Sequence, residues 1–171
     1  MEITYETISK WMDHYFKEVY ENIGWLEKVP KLGKLFTEDF EFIYYTPPPT
    51  AEFTEGHCSR ESLLMGMIHP GMREVIEPYY YAINLEKMIC AVHFNDRTVD
   101  VETEKDIVPP FQAAAHYFLV PADDTGLKIK RIYYWTENQD PANIAKTQAA
   151  WFKNSKPAFE QIVFDWIKAR Y

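Results

Sequence analysis

The sequence predicts an α+β domain: a mostly antiparallel sheet with helices at its N-terminal side and a helical extension at its C-terminus. Three observations carry this. Apolar residues repeat at helical spacing through the first two dozen positions, roughly. Five later runs are rich in aromatic and β-branched residues, as strands are. The last two of these runs, Phe111 to Val120 and Leu127 to Glu137, flank the turn Pro121-Ala122-Asp123-Asp124-Thr125-Gly126 and so read as a long antiparallel hairpin.

The first helix runs from about Thr4 to Ile23. Ile8, Trp11, Met12, Tyr15, Phe16, Val19, Tyr20 and Ile23 fall on one side, with Tyr15 near the centre of the stripe and His14 pointing away. Gly24 is its stop signal. Lys31 to Phe36 reads as a short second helix. Phe40 to Thr46 reads as a strand, halted by Pro47-Pro48-Pro49, which cannot donate to a ladder. Ser59 caps a third helix that buries Leu63, Leu64, Met67 and Ile68 and ends at His69-Pro70-Gly71. Glu74 to Leu85 and Met88 to Val99 are the next strands, and Pro78 marks a bulge or an edge in the first.

After the hairpin, Asp140-Pro141 resembles an N-cap followed by proline at the first helical position. A last helix starts at Ser155 and Pro157 with the stripe Phe159, Ile162, Val163, Trp166 and Ile167. The whole chain, 1–171, reads as one domain with a core over about 4–138 and a helical tail over about 140–171. That tail is expected to pack over the sheet, a pocket mouth or a partner subunit.

Composition narrows the function classes. Hydrophobic residues make up 47% and aromatic residues 16%, so the chain can fill a core and still line a cavity. A net charge of −8 argues against nucleic acid, whose binders present a basic face. Lys128, Lys130 and Arg131 are the nearest thing to one, and strict alternation sends Arg131 to the face opposite the lysines. An anionic membrane surface is unsuited for the same reason. Cys58 and Cys90 are the only cysteines, which points to a reducing compartment. With no apolar leader at the start of the sequence and no spanning run, the expected location is the cytoplasm.

Several strands carry apolar residues on both faces. Under strict alternation Ile129, Tyr133 and Trp135 share one side of the last strand, and Ile132 and Tyr134 the other. One face can cover a pocket, and a homodimer formed through the sheet would bury the second. Coverage of that face by the C-terminal helices is the alternative.

There is no glycine-rich phosphate loop, Gly-x-Ser-x-Gly elbow, His-Glu-x-x-His or Cys-x-x-Cys. His57 and Cys58 adjoin but lack further ligands, so no metal is expected, and no cofactor either. Of the five histidines, only His93 and His116 sit inside strands, where imidazole could act as acid or base. A core histidine bonded to backbone is the plain alternative for each.

The helix Asp13-His14-Tyr15-Phe16 and the final strand, Gly126 leading to Tyr134-Trp135-Thr136-Glu137, carry a resemblance. The chain resembles the SnoaL-like, ketosteroid-isomerase-like branch of the nuclear-transport-factor-2-like (NTF2-like) superfamily. The resemblance implies a cone: a strongly curved sheet and N-terminal helices enclosing one apolar pocket. It places the helix-one phenol of the isomerases on Tyr15, their pocket tryptophan on Trp135 and their carbonyl-polarising acid on His116. A slip of one residue would turn His116 to the other face. Where the isomerases carry a strand-one aspartate, this chain has Ile43-Tyr44-Tyr45-Thr46-Pro47, so the pocket is more similar in character to scytalone dehydratase.

The function implied is a cofactor-independent lyase or isomerase acting on a small hydrophobic carbonyl compound. Tyr15 and His116 would hold the carbonyl, His93 would move the proton, and Tyr44 and Trp135 would wall the substrate. A non-catalytic binding protein and a dimeric interaction protein are the alternatives, and the fold hosts all three.

Overall fold

In the computed structural model, which describes residues 2–17, 25–45, 55–66, 72–137, 140–153 and 165, the N-terminal stripe forms helix α1, Tyr5–His14. Thr4 caps it reciprocally with Thr7: the Thr4 hydroxyl accepts from the Thr7 N–H at 3.2 Å, and the Thr4 N–H donates to the Thr7 hydroxyl at 2.9 Å. Residues 15–17 continue as a wider, π-helical turn, and Tyr15 and Phe16 are both buried there. The remainder of the expected helix, with Val19, Tyr20, Ile23 and Gly24, lies outside the described residues.

Helix α2 is Trp25–Leu35, longer than the Lys31 to Phe36 expected, and Pro30 sits inside it. Phe36 opens strand β1, Phe36–Tyr45, instead of closing the helix, and its ring stacks on Phe40 at 4.4 Å. Strand β2, Glu55–Ser59, is polar and irregular in sequence, which is why no periodicity announces it. Helix α3, Arg60–Gly66, follows directly after Ser59 and buries Leu64. Met67, Ile68 and the segment with the three prolines lie outside the described residues.

Strands β3, Met72–Asn84, and β4, Ile89–Asp100, pair antiparallel, with a register break between Pro78 and Tyr80 where a bulge or edge is expected. Strands β5, Phe111–Ala122, and β6, Gly126–Thr136, form the long hairpin. Gly126 closes its turn at φ 76°, a conformation that strains any residue bearing a Cβ. Helix α4, Pro141–Lys153, begins as predicted: the Asp140 carboxylate accepts from the Ala142 N–H at 2.9 Å. Of the final helix expected from Ser155, only Asp165 is described.

The six strands form one sheet in the order β2-β1-β6-β5-β4-β3, antiparallel throughout except where β1 runs parallel to β6. This is the α+β architecture expected. Helix α1 lies across the inner face. The Trp11 indole N–H reaches the Thr125 carbonyl at the hairpin tip at 3.1 Å, and the Tyr81 hydroxyl donates to Asp13 at 2.8 Å. Between these anchors, Tyr15 and Phe16 press on Tyr117 at ring separations of 5.7 and 5.6 Å. Ala113, Ala115, Tyr117 and Leu119 of β5 and Cys90, Val92 and Phe94 of β4 complete the core beneath them.

One irregularity decides which face each later side chain occupies. Between Phe118 and Leu119 the pairing partner on β6 jumps from Arg131 to Ile129, so Lys130 is an extra residue in β6. A bulge of this kind resets the alternation. Ile129, Ile132 and Tyr134 consequently share the inner phase, while Arg131, Tyr133 and Trp135 take the outer one. The grouping of Ile129 with Tyr133 and Trp135 is thereby corrected. So is the separation of Arg131 from the lysines, but each cation is matched: Lys128 to Asp124 at 3.1 Å, Lys130 to Asp39 at 3.2 Å, and the Arg131 Nε to Glu41 at 2.8 Å. Among the described residues, no helix is long and apolar enough to cross a membrane.

Candidate functional site: a carboxyl and phenols on the inner face

The inner face carries one polar group of unusual kind. Asp96 on β4 is only 5% exposed, although aspartate is almost never buried without a partner. Its position follows from alternation: Cys90, Val92, Phe94, Asp96 and Thr98 fall in the same phase, and all are buried. The Tyr134 hydroxyl donates to the Asp96 carboxylate at 3.3 Å from the neighbouring end of β6. The Tyr134 ring is held between Phe42, 5.7 Å away, and Phe94, 6.1 Å away. Tyr44, the register partner of Tyr134 across the parallel pair, extends the same wall, with its ring 6.0 Å from Phe42.

Electrostatics decide what these phenols can do. Burial pushes the Tyr134 phenol well above the ordinary value of 10.0, and the carboxylates of Asp96 and Glu74 push in the same direction. Tyr117 is raised likewise, first by burial, then by the nearby Tyr15, Tyr134, Cys90 and Asp96. Both phenols therefore stay protonated near neutral pH and serve as hydrogen-bond donors rather than bases. A carboxyl beside a protonated phenol in an aromatic enclosure provides a proton acceptor and a donor to a developing oxyanion within one short span.

The residues singled out from the sequence divide between the two faces. Tyr15 is inward, buried behind Tyr117, and stacks on Trp11 at 6.0 Å. Tyr44 is inward as well. His93, His116 and Trp135 are on the outer face. His116 pairs with Ala91 and Tyr133, is exposed, and packs edge-on against Trp135 at 4.8 Å. His93 lies between Tyr79 and Tyr80, at 5.2 and 5.9 Å. The structure joins His116 to Trp135 but puts the thickness of the sheet between both histidines and Tyr15. The three therefore share no space in which one substrate could meet them.

The reason is the phase of the strands. In β4 the inward set Val92 and Phe94 leaves His93 outward. In β6 the Lys130 bulge turns Tyr134 inward in place of Trp135. Asp96 escaped the sequence reading, although its signal was there: it stands two residues from Phe94, in step with the apolar set. His57 and Cys58, adjacent on β2, face opposite sides, since they pair with Ile43 and Phe42 respectively. Among the described residues, no group of three His, Cys, Asp or Glu side chains is arranged to hold a metal ion.

No family model matches the chain. No curated protein matches it either. Solved structures do. ActVI-ORFA from Streptomyces coelicolor is similar at 15% identity over 78% of this chain and 97% of that one, with a TM-score of 0.54. Nuclear transport factor 2 from Cryptosporidium parvum is similar at 14% identity over 75% and 90% of the two chains, with a TM-score of 0.52. An NTF2-like protein from Cytophaga hutchinsonii is similar at 15% identity over 80% and 100%, with a TM-score of 0.50. At this identity the likeness speaks to fold alone. The chain has the fold of the NTF2-like superfamily.

Proposed function

We propose that the protein is a cofactor-independent lyase or isomerase for a small hydrophobic carbonyl compound, with Asp96 and Tyr134 as its acid/base pair. The observation that carries this is the buried Asp96 carboxyl bonded to the Tyr134 hydroxyl on an aromatic inner face. In the proposed sequence, the Tyr134 O–H donates to the substrate carbonyl oxygen. Asp96 takes the proton from the adjacent carbon, and the C–H electron pair forms the carbon–carbon double bond of an enolate whose oxygen the phenol stabilises. Asp96 then returns the proton. Given to a β-hydroxyl, it releases water; given to a more distant carbon, it shifts the double bond. Phe42, Phe94 and Tyr44 supply ring-sized apolar walls, and Tyr15, through Tyr117, braces the floor.

His93, His116 and Trp135 take a different role in this reading. Together with Tyr45, Tyr133, Tyr79 and Tyr80 they make the outer face aromatic, and Tyr79 and Tyr80 are 54% and 58% exposed. That surface supports a homodimer formed through the sheet.

The test is turnover of a β-hydroxy ketone, followed by the ultraviolet absorbance of the enone formed. Asp96→Asn should lower kcat by at least about a hundredfold, the usual worth of a positioned base. Wild-type turnover in that variant would overturn the mechanism. Tight binding of cyclic ketones without turnover in the wild type would make the protein a ligand holder.

A further inference from the structure

The strand registers lay out the outer face row by row. One row runs Ile43, Tyr133, His116, Ala91 and Ala82, from β1 through β6, β5 and β4 to β3. The next runs Tyr45, Trp135, Ala114, His93 and Tyr80. Neither row holds an Asp, Glu, Lys or Arg. Charges begin in the rows beyond, at Glu41 and Arg131 on one side and Glu77 on the other. From the spacing of strands and of like-facing residues, the two rows with their borders cover about 24 by 27 Å, or about 650 Å². A stable interface takes about 800 Å² from each partner. His116 and His93 stand diagonally at the centre of this field, His116 opposite Ala91 and His93 opposite Ala114. His116 is exposed and edge-on to Trp135 at 4.8 Å. His93 lies against Tyr79 and Tyr80 at 5.2 and 5.9 Å. Rings standing beside alanines on one patch let the ridge of one copy enter the trough of another, as an isologous interface requires.

We infer that association of two copies through this face is proton-linked: His116 and His93 are neutral in the dimer, and protonating them below neutral pH separates the copies. This rests on the reading of the outer face as a dimer interface; it does not rest on catalysis. The physical reason is desolvation, which disfavours the charged form of an imidazole once a second copy covers it. Protonation would put positive charges from both copies into one layer about 10 Å thick. The titratable and charged groups facing His116 are Arg131, Tyr133 and His93. Those facing His93 are Tyr79, Tyr80, His116 and, past Asn95, Glu77. The carboxylates bordering the field are engaged on their own surface, Glu77 accepting from Asn95 at 2.9 Å and Glu41 from the Arg131 Nε at 2.8 Å. The ring of Trp135 would attract an imidazolium at His116 equally in a separate copy, so that contact does not favour the charged dimer.

Sedimentation velocity of the full chain at pH 7.5 and 5.5 tests it, with near-ultraviolet circular dichroism following the fold at both. An imidazole in water titrates near about 6.5, so each one that must be neutral in the dimer weakens association about tenfold over this interval. His116 from both copies should therefore raise Kd at least about a hundredfold, and His93 adds to the rise. His116→Phe combined with His93→Phe keeps a ring at both places and should give a dimer whose Kd no longer changes with pH. If that double variant does not assemble, His116→Gln alone decides, since it should cut the dependence at least about tenfold. His57→Gln removes the histidine opposite Ile43 at the end of the first row and should leave the dependence intact. The inference is overturned, with the interface left standing, by a wild-type dimer of equal Kd at both pH values. Full wild-type dependence in the variants at His116, loss of dependence in His57→Gln, or dissociation only together with unfolding would overturn it in the same way. A monomeric wild type at pH 7.5 would overturn the interface and the inference with it.

Discussion

The coupling between Asp96 and Tyr134 is open to direct measurement by a double-mutant cycle. Tyr134→Phe removes one hydroxyl and leaves the ring between Phe42 and Phe94; Asp96→Asn keeps the side-chain volume and removes the charge. The separation of 3.3 Å is long for an O–H donor, so the bond should sit at the weak end for one involving a charged group. Burial counteracts this, because an acceptor that is 5% exposed cannot replace a lost donor with bulk water. Each single variant should cost about 1–2 kcal/mol, and the coupling term should be about 1 kcal/mol. The assay is urea unfolding of the four proteins at neutral pH, followed by circular dichroism and by tryptophan fluorescence, with m values compared to check two-state behaviour. Costs that add within about 0.3 kcal/mol would refute the pairing. It would then follow that Tyr134 and Asp96 do not act as one unit, and the proton route through them would fall as well.

Three further outcomes are expected. Because folding raises the Tyr117 phenol above its ordinary value of 10.0, the folded state holds that proton more tightly than the unfolded chain; stability should be full below pH 10 and fall as pH climbs past it. Tyr117→Phe should flatten that alkaline decline, and an unchanged slope would count against burial as the cause. Cys90 is 0% exposed and burial pushes its thiol up to about 12, so in a Cys58→Ser background it should react with a disulfide reagent only after unfolding. Rapid labelling of the native protein would contradict the packing of β4 beneath α1. If the outer face is a dimer interface, sedimentation should show a dimer that Trp135→Glu converts to a monomer, and a monomeric wild type would remove the interface.

The likeness between this chain and other proteins of its fold is legible mainly in the pattern of its elements. The stripe through Ile8, Trp11, Met12 and Tyr15, the proline signals at Pro78 and Pro141, and the glycine turn at Gly126 are all local. Each follows from backbone geometry or from the period of one segment, and each is where the structure has it. Strand β2 was not legible, since its five residues, Glu55 to Ser59, have no alternation and gain their place only by pairing with β1. Helix α2 was legible only from Lys31 onward, whereas the structure begins it at Trp25 and carries it through Pro30.

The site shows the division most sharply. By itself the sequence determined that β4 would turn Val92 and Phe94 one way and His93 the other, and that Asp96 would follow the apolar pair. That is a consequence of period two in a strand with no interruption, and it needs no partner. The final strand is different. Its residues are apolar on both faces, so nothing in Ile129, Ile132, Tyr133, Tyr134 and Trp135 says which set faces inward. Only pairing with β5 decides. Leu119 and Phe118 take Ile129 and Arg131 as partners, Lys130 is left out, and every side chain beyond it changes sides. A bulge is favoured or rejected by the fit of two strands and the core behind them, a tertiary property, and it is what brings Tyr134 rather than Trp135 to the Asp96 carboxyl.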